Sequence, residues 1–239
     1  MAGDYCKSGH KTIGVEYDFS DDNAPEISAK EVTLPGGDNL ESIAKDVTSC
    51  KNCSLSATRT RAVPGEGVKE PLIMVIGEGP GFDEDKTGRP FVGKAGQLLD
   101  RMLSSIGLSR EKNCFITNVV KCRPPNNRDP EDPEVAACSS FLLRQVTLLR
   151  PRILLSLGRV ATQALLENKE PIGATRGRFV QYSKYNLEIP LLATYHPSAL
   201  LRNENLKRPA WEDLKKLKDA LLLLVPDYES KPQGHLDGG

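Results

Sequence analysis

Leu72-Ile73-Met74-Val75-Ile76, closed by Gly77, limits the fold of this chain more than any other stretch. Five apolar, mostly branched residues with no alternating polar set read as a strand buried on both faces. Pro71 opens it where no ladder N–H is needed. Gly77-Glu78-Gly79-Pro80-Gly81 then sets three glycines and a proline in five residues, followed by Asp83, Glu84 and Asp85. A stiff turn of small residues lets backbone approach a ligand closely. In open α/β sheets, ligands bind at this carboxyl end of the strands.

The remaining pattern supplies the layers such a strand requires. Helices are expected over Asn39–Thr48, with Asp38 as its cap, and over Ala95–Ile106, from near Pro133 to Leu149, Arg159–Leu166 and Ala210–Leu224. Further strands are expected at Cys114–Val120, Ile153–Leu157 and Leu191–Thr194, with a short polar hairpin over 177–188. Residues 54–70 and 77–93 read as loops. Strands that alternate with helices predict a parallel sheet covered on both faces. Residues 1–38 read as a mobile acidic extension, 39–225 as the folded body, and 226–239 as a flexible tail.

Charge divides along the same line. Lys and Arg total 32 against 32 Asp and Glu, yet residues 1–48 hold four basic and ten acidic side chains, leaving 28 against 22 beyond them. A basic body suits a polyanionic partner. No apolar run is long enough for a membrane helix. The N-terminus lacks a basic-then-apolar leader pattern, so a cytoplasmic location is expected.

Six cysteines in such a chain point to metal binding or free thiols before disulfides. Cys50 and Cys53 form a C-x2-C pair; Cys122 follows on a proline-rich loop, and Cys138 lies on the helix beyond. Four thiolates suit either tetrahedral zinc or an iron–sulfur cluster, and the lack of a second close pair favours the cluster. Lys121 and Arg123 beside Cys122 are expected to lower its thiol pKa. Cys114, at the head of a strand, reads as a buried hydrophobe, and Cys6 with His10 as incidental.

Four stretches together resemble one family. Gly77-Glu78-Gly79-Pro80-Gly81, Gly88-Arg89-Pro90-Phe91-Val92-Gly93, Thr117-Asn118-Val119-Val120-Lys121-Cys122-Arg123-Pro124-Pro125 and His196-Pro197-Ser198-Ala199-Leu200-Leu201-Arg202 occur in order, with the four cysteines in register. The chain is similar to the family 4 uracil-DNA glycosylases over residues 40–225. That resemblance implies a three-layer α/β/α fold with a central four-stranded parallel sheet, a [4Fe-4S] cluster on Cys50, Cys53, Cys122 and Cys138, and excision of uracil from DNA. It implies Glu78, Glu84 and His196 as catalytic groups, and Gly79, Phe91 and Asn118 as the uracil site. A related branch that bonds covalently to DNA carries a histidine-containing basic insert, which residues 171–178 lack.

The chemistry suits those residue types. The leaving uracil carries charge on N1 and O2, which calls for a donor at O2 and an acidic group or water near the sugar. An Asn amide can donate to uracil O4 and accept from N3–H, whereas cytosine reverses both. Ser198, Leu200, Leu201 and Arg202 are expected at the DNA, the leucines as a wedge and Arg202 on phosphate. The expected partner is uracil-containing DNA, bound by a monomer, with a replication-clamp contact through the extension. A competing reading keeps the fold and a structural metal in a non-catalytic DNA-binding protein.

Overall fold

A computed structural model of the chain describes residues 38–184 and 186–229. The expected strand forms as β2, Ile73–Gly77, in a six-stranded sheet with β1 (Glu66–Gly67), β3 (Cys114–Asn118), β4 (Ile153–Leu157), β5 (Phe179–Lys184) and β6 (Leu187–Thr194). Their order is β1-β3-β2-β4-β6-β5. The four inner strands are parallel, as expected. The additions are β1 and β5, which run antiparallel on the two edges. The hairpin expected over 177–188 is thus larger: its second arm runs on into the fourth parallel strand. β1 has only two residues, too short for any hydrophobic period to announce it.

Among the described residues, eight α-helices surround the sheet: α1 (Leu40–Ser49), α2 (Phe82–Thr87), α3 (Lys94–Ser104), α4 (Asp132–Leu149), α5 (Gly158–Leu166), α6 (Ile172–Thr175), α7 (Pro197–Arg202) and α8 (Lys207–Leu224). Alternation along the strands sorts the side chains into two cores. Met74, Ile76 and Leu154 face one side with Ile43 and Val47 of α1, Val146 of α4 and Ala161 of α5. Ile73, Val75, Ile153 and Leu155 face the other with Leu99 and Leu103 of α3 and Leu214 and Leu217 of α8. Among the described residues, no helix is long and apolar enough to cross a membrane.

Two boundaries differ from expectation. Asn39, not Asp38, caps α1: its Oδ1 accepts from Ser42 N at 2.7 Å, and Ser42 Oγ accepts from Asn39 N. Asp38 is drawn away by Arg144 of α4, whose Nε donates to it at 2.8 Å. At the other end, the folded body passes residue 225. Tyr228 is buried, and its hydroxyl donates to Ile106 O at 2.7 Å. The acidic extension, Cys6, His10 and residues 230–239 lie outside the described residues.

Candidate active site

The carboxyl ends of β2 and β3 build the floor of a small cradle. Their parallel register pairs Gly77 with Asn118. A Cβ on Gly77 would stand 2.5 Å from Asn118 Oδ1 and 2.5 Å from Phe91 Cζ, so glycine is required for the three groups to meet. Asn118 is almost fully buried, and its Oδ1 has no hydrogen-bond partner among the described residues. A buried acceptor without a donor is costly unless a ligand supplies one. Gly79 lies beside the cradle, where a Cβ would meet Val120 Cγ2 at 2.8 Å. The turn after β2 is thereby packed against the segment after β3.

Phe91 enters from the segment between α2 and α3. Its φ of 52° is left-handed, a conformation a bulky residue holds only when its surroundings fix it. Two fixtures do so. Arg110, itself buried, donates from Nη1 to Pro90 O at 2.9 Å and from Nη2 to Phe91 O at 3.0 Å, and is held by Asp100 at 2.7 Å. Glu84, at the third position of α2, accepts from Val92 N at 2.8 Å, Gly93 N at 2.9 Å and Gly81 N at 3.1 Å. Its carboxylate accepts from backbone on both sides of the aromatic, so Glu84, expected as a catalytic group, holds the Phe91 segment in this structure. Arg110 escaped sequence reading because it lies far along the chain, in a segment that otherwise reads as a connection. Replacing Arg110 with Gln should release the Pro90 and Phe91 carbonyls and weaken ring placement. We expect Arg110→Gln to cost about 1–3 kcal/mol of stability, with Arg110→Lys recovering part of the loss; an unchanged Tm would dismiss the role.

Opposite stands His196, the cap of α7. Its ring centroid is 5.6 Å from that of Phe91, tilted by 34°. Nδ1 accepts from Ser198 N at 3.2 Å and lies 2.8 Å from Ser198 Oγ. A backbone N–H can only donate, so Nδ1 is unprotonated and the ring proton sits on Nε2. Burial, aided by Arg202, brings the imidazole pKa down to about 4, so the ring is neutral at ordinary pH. Gly158, at φ +83°, leaves the room this ring needs: a Cβ there would meet His196 Cβ at 2.8 Å. Ser198, expected at the DNA, orients His196 in this structure.

Glu78 follows β2 directly and is partly buried. Burial pushes its carboxyl up to about 7, and the nearby Asp129 carboxylate adds to the shift while Arg159 and Arg202 oppose it. Asp129 and Arg159, which pair with each other, are site neighbours that the sequence reading did not single out. Along α7 the expected wedge divides. Leu200 is in the core at 2% exposure and cannot reach DNA, whereas Leu201 is 47% exposed beside the exposed Arg202. On a six-residue helix one of two adjacent leucines must turn inward.

The four cysteines gather at the far side of the segment after β3. Cys122 and Cys138 are buried in the same core against which Cys50 and Cys53 pack, and none of the described cysteines is in a disulfide. Arg59 Nη1 donates to Cys122 Sγ at 3.0 Å, Lys121 N to Cys138 Sγ at 3.3 Å, and Asn52 N lies 3.5 Å from Cys50 Sγ. N–H groups aimed at sulfur suit thiolates that carry charge. The expected partners of Cys122 are corrected. Lys121 turns its amine away to Thr117 Oγ1, Asn118 O and Gln145 Oε1, and Arg123 turns to Asn127. Burial accordingly pushes the Cys122 thiol up, with Arg59 as the main opposing influence. Glu134 of α4 joins this region, accepting from Ser54 Oγ at 2.9 Å and from both Arg128 Nη atoms, which ties the Cys50–Cys53 loop to the helix of Cys138. Among the described residues, no three His, Cys, Asp or Glu side chains converge as they would on a single ion. Cys114 is buried in β3, as expected.

Residues 64–215, which include the cradle, Phe91 and His196, match the model of the uracil DNA glycosylase superfamily. The type-4 uracil-DNA glycosylase of Saccharolobus solfataricus is 49% identical over 189 residues, covering 77% of this chain and 87% of that protein. The chain belongs to the type-4 uracil-DNA glycosylases. Similarity extends across this family: the Thermotoga maritima protein of the same name is 44% identical over 182 residues, 75% of this chain and 93% of that one. A type-5 uracil-DNA glycosylase of Pyrobaculum aerophilum is 36% identical over 172 residues, 66% of this chain and 74% of that protein. Within the family frame, the cradle, the two rings and the Glu78 carboxyl all stand at carboxyl ends of strands or in the segments that follow them.

Proposed function

We propose that this chain is a DNA repair enzyme that takes uracil out of the DNA stack and hydrolyses its N-glycosidic bond, releasing free uracil and leaving an abasic site. The observation that carries the reading is the unpartnered Asn118 Oδ1 in the cradle formed with Gly77 and Phe91. Uracil N3–H supplies the missing donor, and the Asn118 amide N–H donates to O4. The Phe91 ring offers a face for the flipped base. Neutral His196 presents Nε2–H to O2, where charge grows as the C1′–N1 bond breaks. Glu78, ionised above about pH 7, takes a proton from water as the water oxygen bonds to C1′.

The finer parts of the reading follow from the same residues. Cys50, Cys53, Cys122 and Cys138 would hold a [4Fe-4S] cluster, whose iron–thiolate bonds cross-link the chain on either side of the pocket segment. A cluster takes its thiolates at separate corners, so the sulfurs need not converge on one point. Leu201 and Arg202, with exposed Arg208 nearby in sequence, form the DNA-facing end of α7 and α8. On this reading the folded body from residue 39 carries the reaction as a cytoplasmic monomer. The acidic residues 1–38 repel DNA and suit a protein contact such as a replication clamp.

The test is incubation with a uracil-containing oligonucleotide without divalent metal, followed by alkali to open abasic sites. Cleavage at uracil with release of the free base is expected; an intact strand, bound or not, would leave only the non-catalytic DNA-binding reading. Anaerobically purified protein should be brown and contain iron and sulfide in equal amounts, and stoichiometric zinc without sulfide would reject the cluster. Asn118→Asp places a second acceptor where O4 needs a donor. Uracil excision should fall about 10²-fold or more, and the ratio of cytosine to uracil excision should rise; an unchanged ratio in competition assays would remove Asn118 from base selection.

A further inference from the structure

Among the described residues Phe82 is the most exposed of the large aromatic side chains, with 61% of its surface in solvent, and its ring belongs to neither core. It follows the Gly77–Gly81 turn directly, as the first residue of α2. The Arg123 guanidinium carbon lies 5.2 Å from the ring centroid. Asn127 Oδ1 accepts from Arg123 Nε at 2.7 Å and so fixes the guanidinium without neutralising it. No carboxylate pairs with Arg123 among the described residues. The two side chains come from the segments that follow β2 and β3, which Gly79 packs together against Val120 and Pro124. They therefore stand on the same edge of the sheet as the cradle. Phe82 is five chain steps from Gly77, at most about 18 Å of chain and less through a turn.

We propose that Phe82 and Arg123 form a stacking platform for the unpaired base beside the flipped uracil on the same strand, with the ring on the base face and the guanidinium on its phosphate. The proposal rests on the uracil-excision reading above. When a nucleotide leaves the stack, its neighbour loses one stacking partner, and an exposed ring with a fixed cation replaces that contact without reading sequence. An aromatic ring is the feature that makes this a base contact, since phosphate alone would be met by the cation.

The experiment uses the full chain and single-stranded oligonucleotides carrying a non-cleavable 2′-fluoro-deoxyuridine. 2-Aminopurine is placed in turn at each of the two positions on either side. The wild-type protein should change the fluorescence at one adjacent position far more than at the others. Phe82→Ala and Phe82→Leu should both abolish that positional signal and weaken binding about 5- to 100-fold, while Phe82→Trp keeps both. The leucine variant preserves apolar bulk, so a packing role would leave it close to wild type, and that result would overturn the platform. Identical fluorescence profiles for wild type and Phe82→Ala would overturn it too, as would a loss equal at every position. A wild-type protein that excises uracil while showing either result loses the platform and keeps the function; one that does not excise loses the function first.

Discussion

His196→Ala should slow the chemical step about 10²–10³-fold, the loss typical of removing one donor from a developing oxyanion. Three observations set that size. The ring faces Phe91 across the cradle, Ser198 N fixes the proton on Nε2, and the pKa near 4 keeps the donor neutral. A neutral donor strengthens its bond as charge grows on O2, without the cost of holding a buried cation in the resting protein. The effect belongs to the transition state, so binding to uracil DNA should change far less than the rate. Single-turnover excision with excess enzyme, beside a binding titration on a non-cleavable strand, separates the two. A rate within a few-fold of wild type, or a loss matched by weaker binding, would return His196 to the role of helix cap. Because the ring stays neutral from about pH 5 upward, it should add no inflection to the rate profile between pH 5 and 9.

Glu78→Gln should lower excision about 10²-fold or more while making the protein more stable. The unfolded carboxyl ionises near 4.5, whereas burial moves the folded one to about 7. A folded pKa raised above the unfolded value means that the ionised form is disfavoured in the fold. Stability therefore declines as pH climbs from 4.5 to about 7, and the deficit is complete above that. Gln is neutral at every pH and avoids it, which at pH 8 is worth about 1–3 kcal/mol and raises Tm by a few degrees. The wild-type rate should rise with pH through about 7 as the carboxylate forms, and the variant's profile should lose that rise. Thermal unfolding at pH 5 and pH 8 checks the stability arm: equal Tm differences at both pH values would mean that the Glu78 carboxyl is not strained by burial. Such a result would show a group that the fold would be more stable without, a trade seen where activity requires a buried charge.

The sequence revealed the parallel sheet because each inner strand is built on a short apolar run, and the floor of the site because glycines and Asn118 end two of those runs. What stayed hidden has physical reasons. The edge strand Glu66–Gly67 and helix α2 are held by pairing and by the Glu84 carboxylate rather than by any apolar period. Arg110 contributes through two backbone carbonyls about twenty residues away, a contact that no local pattern records. The acid at position 84 was legible as important, but its hold on the Phe91 segment was not, since its partners are backbone N–H groups. Leu200 and Leu201 were indistinguishable until the pitch of α7 sent one inward. Lys121 read as a charge for Cys122, yet its amine is spent on the carbonyl of Asn118.

The register between β2 and β3 carries a larger meaning than sheet geometry. Gly77 faces Asn118 only because Ile73 pairs with Cys114 and each later pair follows in step. A slip of one residue would bring Thr117 or Val119 opposite Gly77 and turn the amide to the other side of the sheet. What prevents the slip is the sorting of Ile73 and Val75 into one core and Met74 and Ile76 into the other. On the proposed reading, in which Asn118 selects the base, fidelity is therefore not housed in the pocket alone. It is inherited from the oil-like interior beneath, and aliphatic residues that never meet DNA act as its proofreaders.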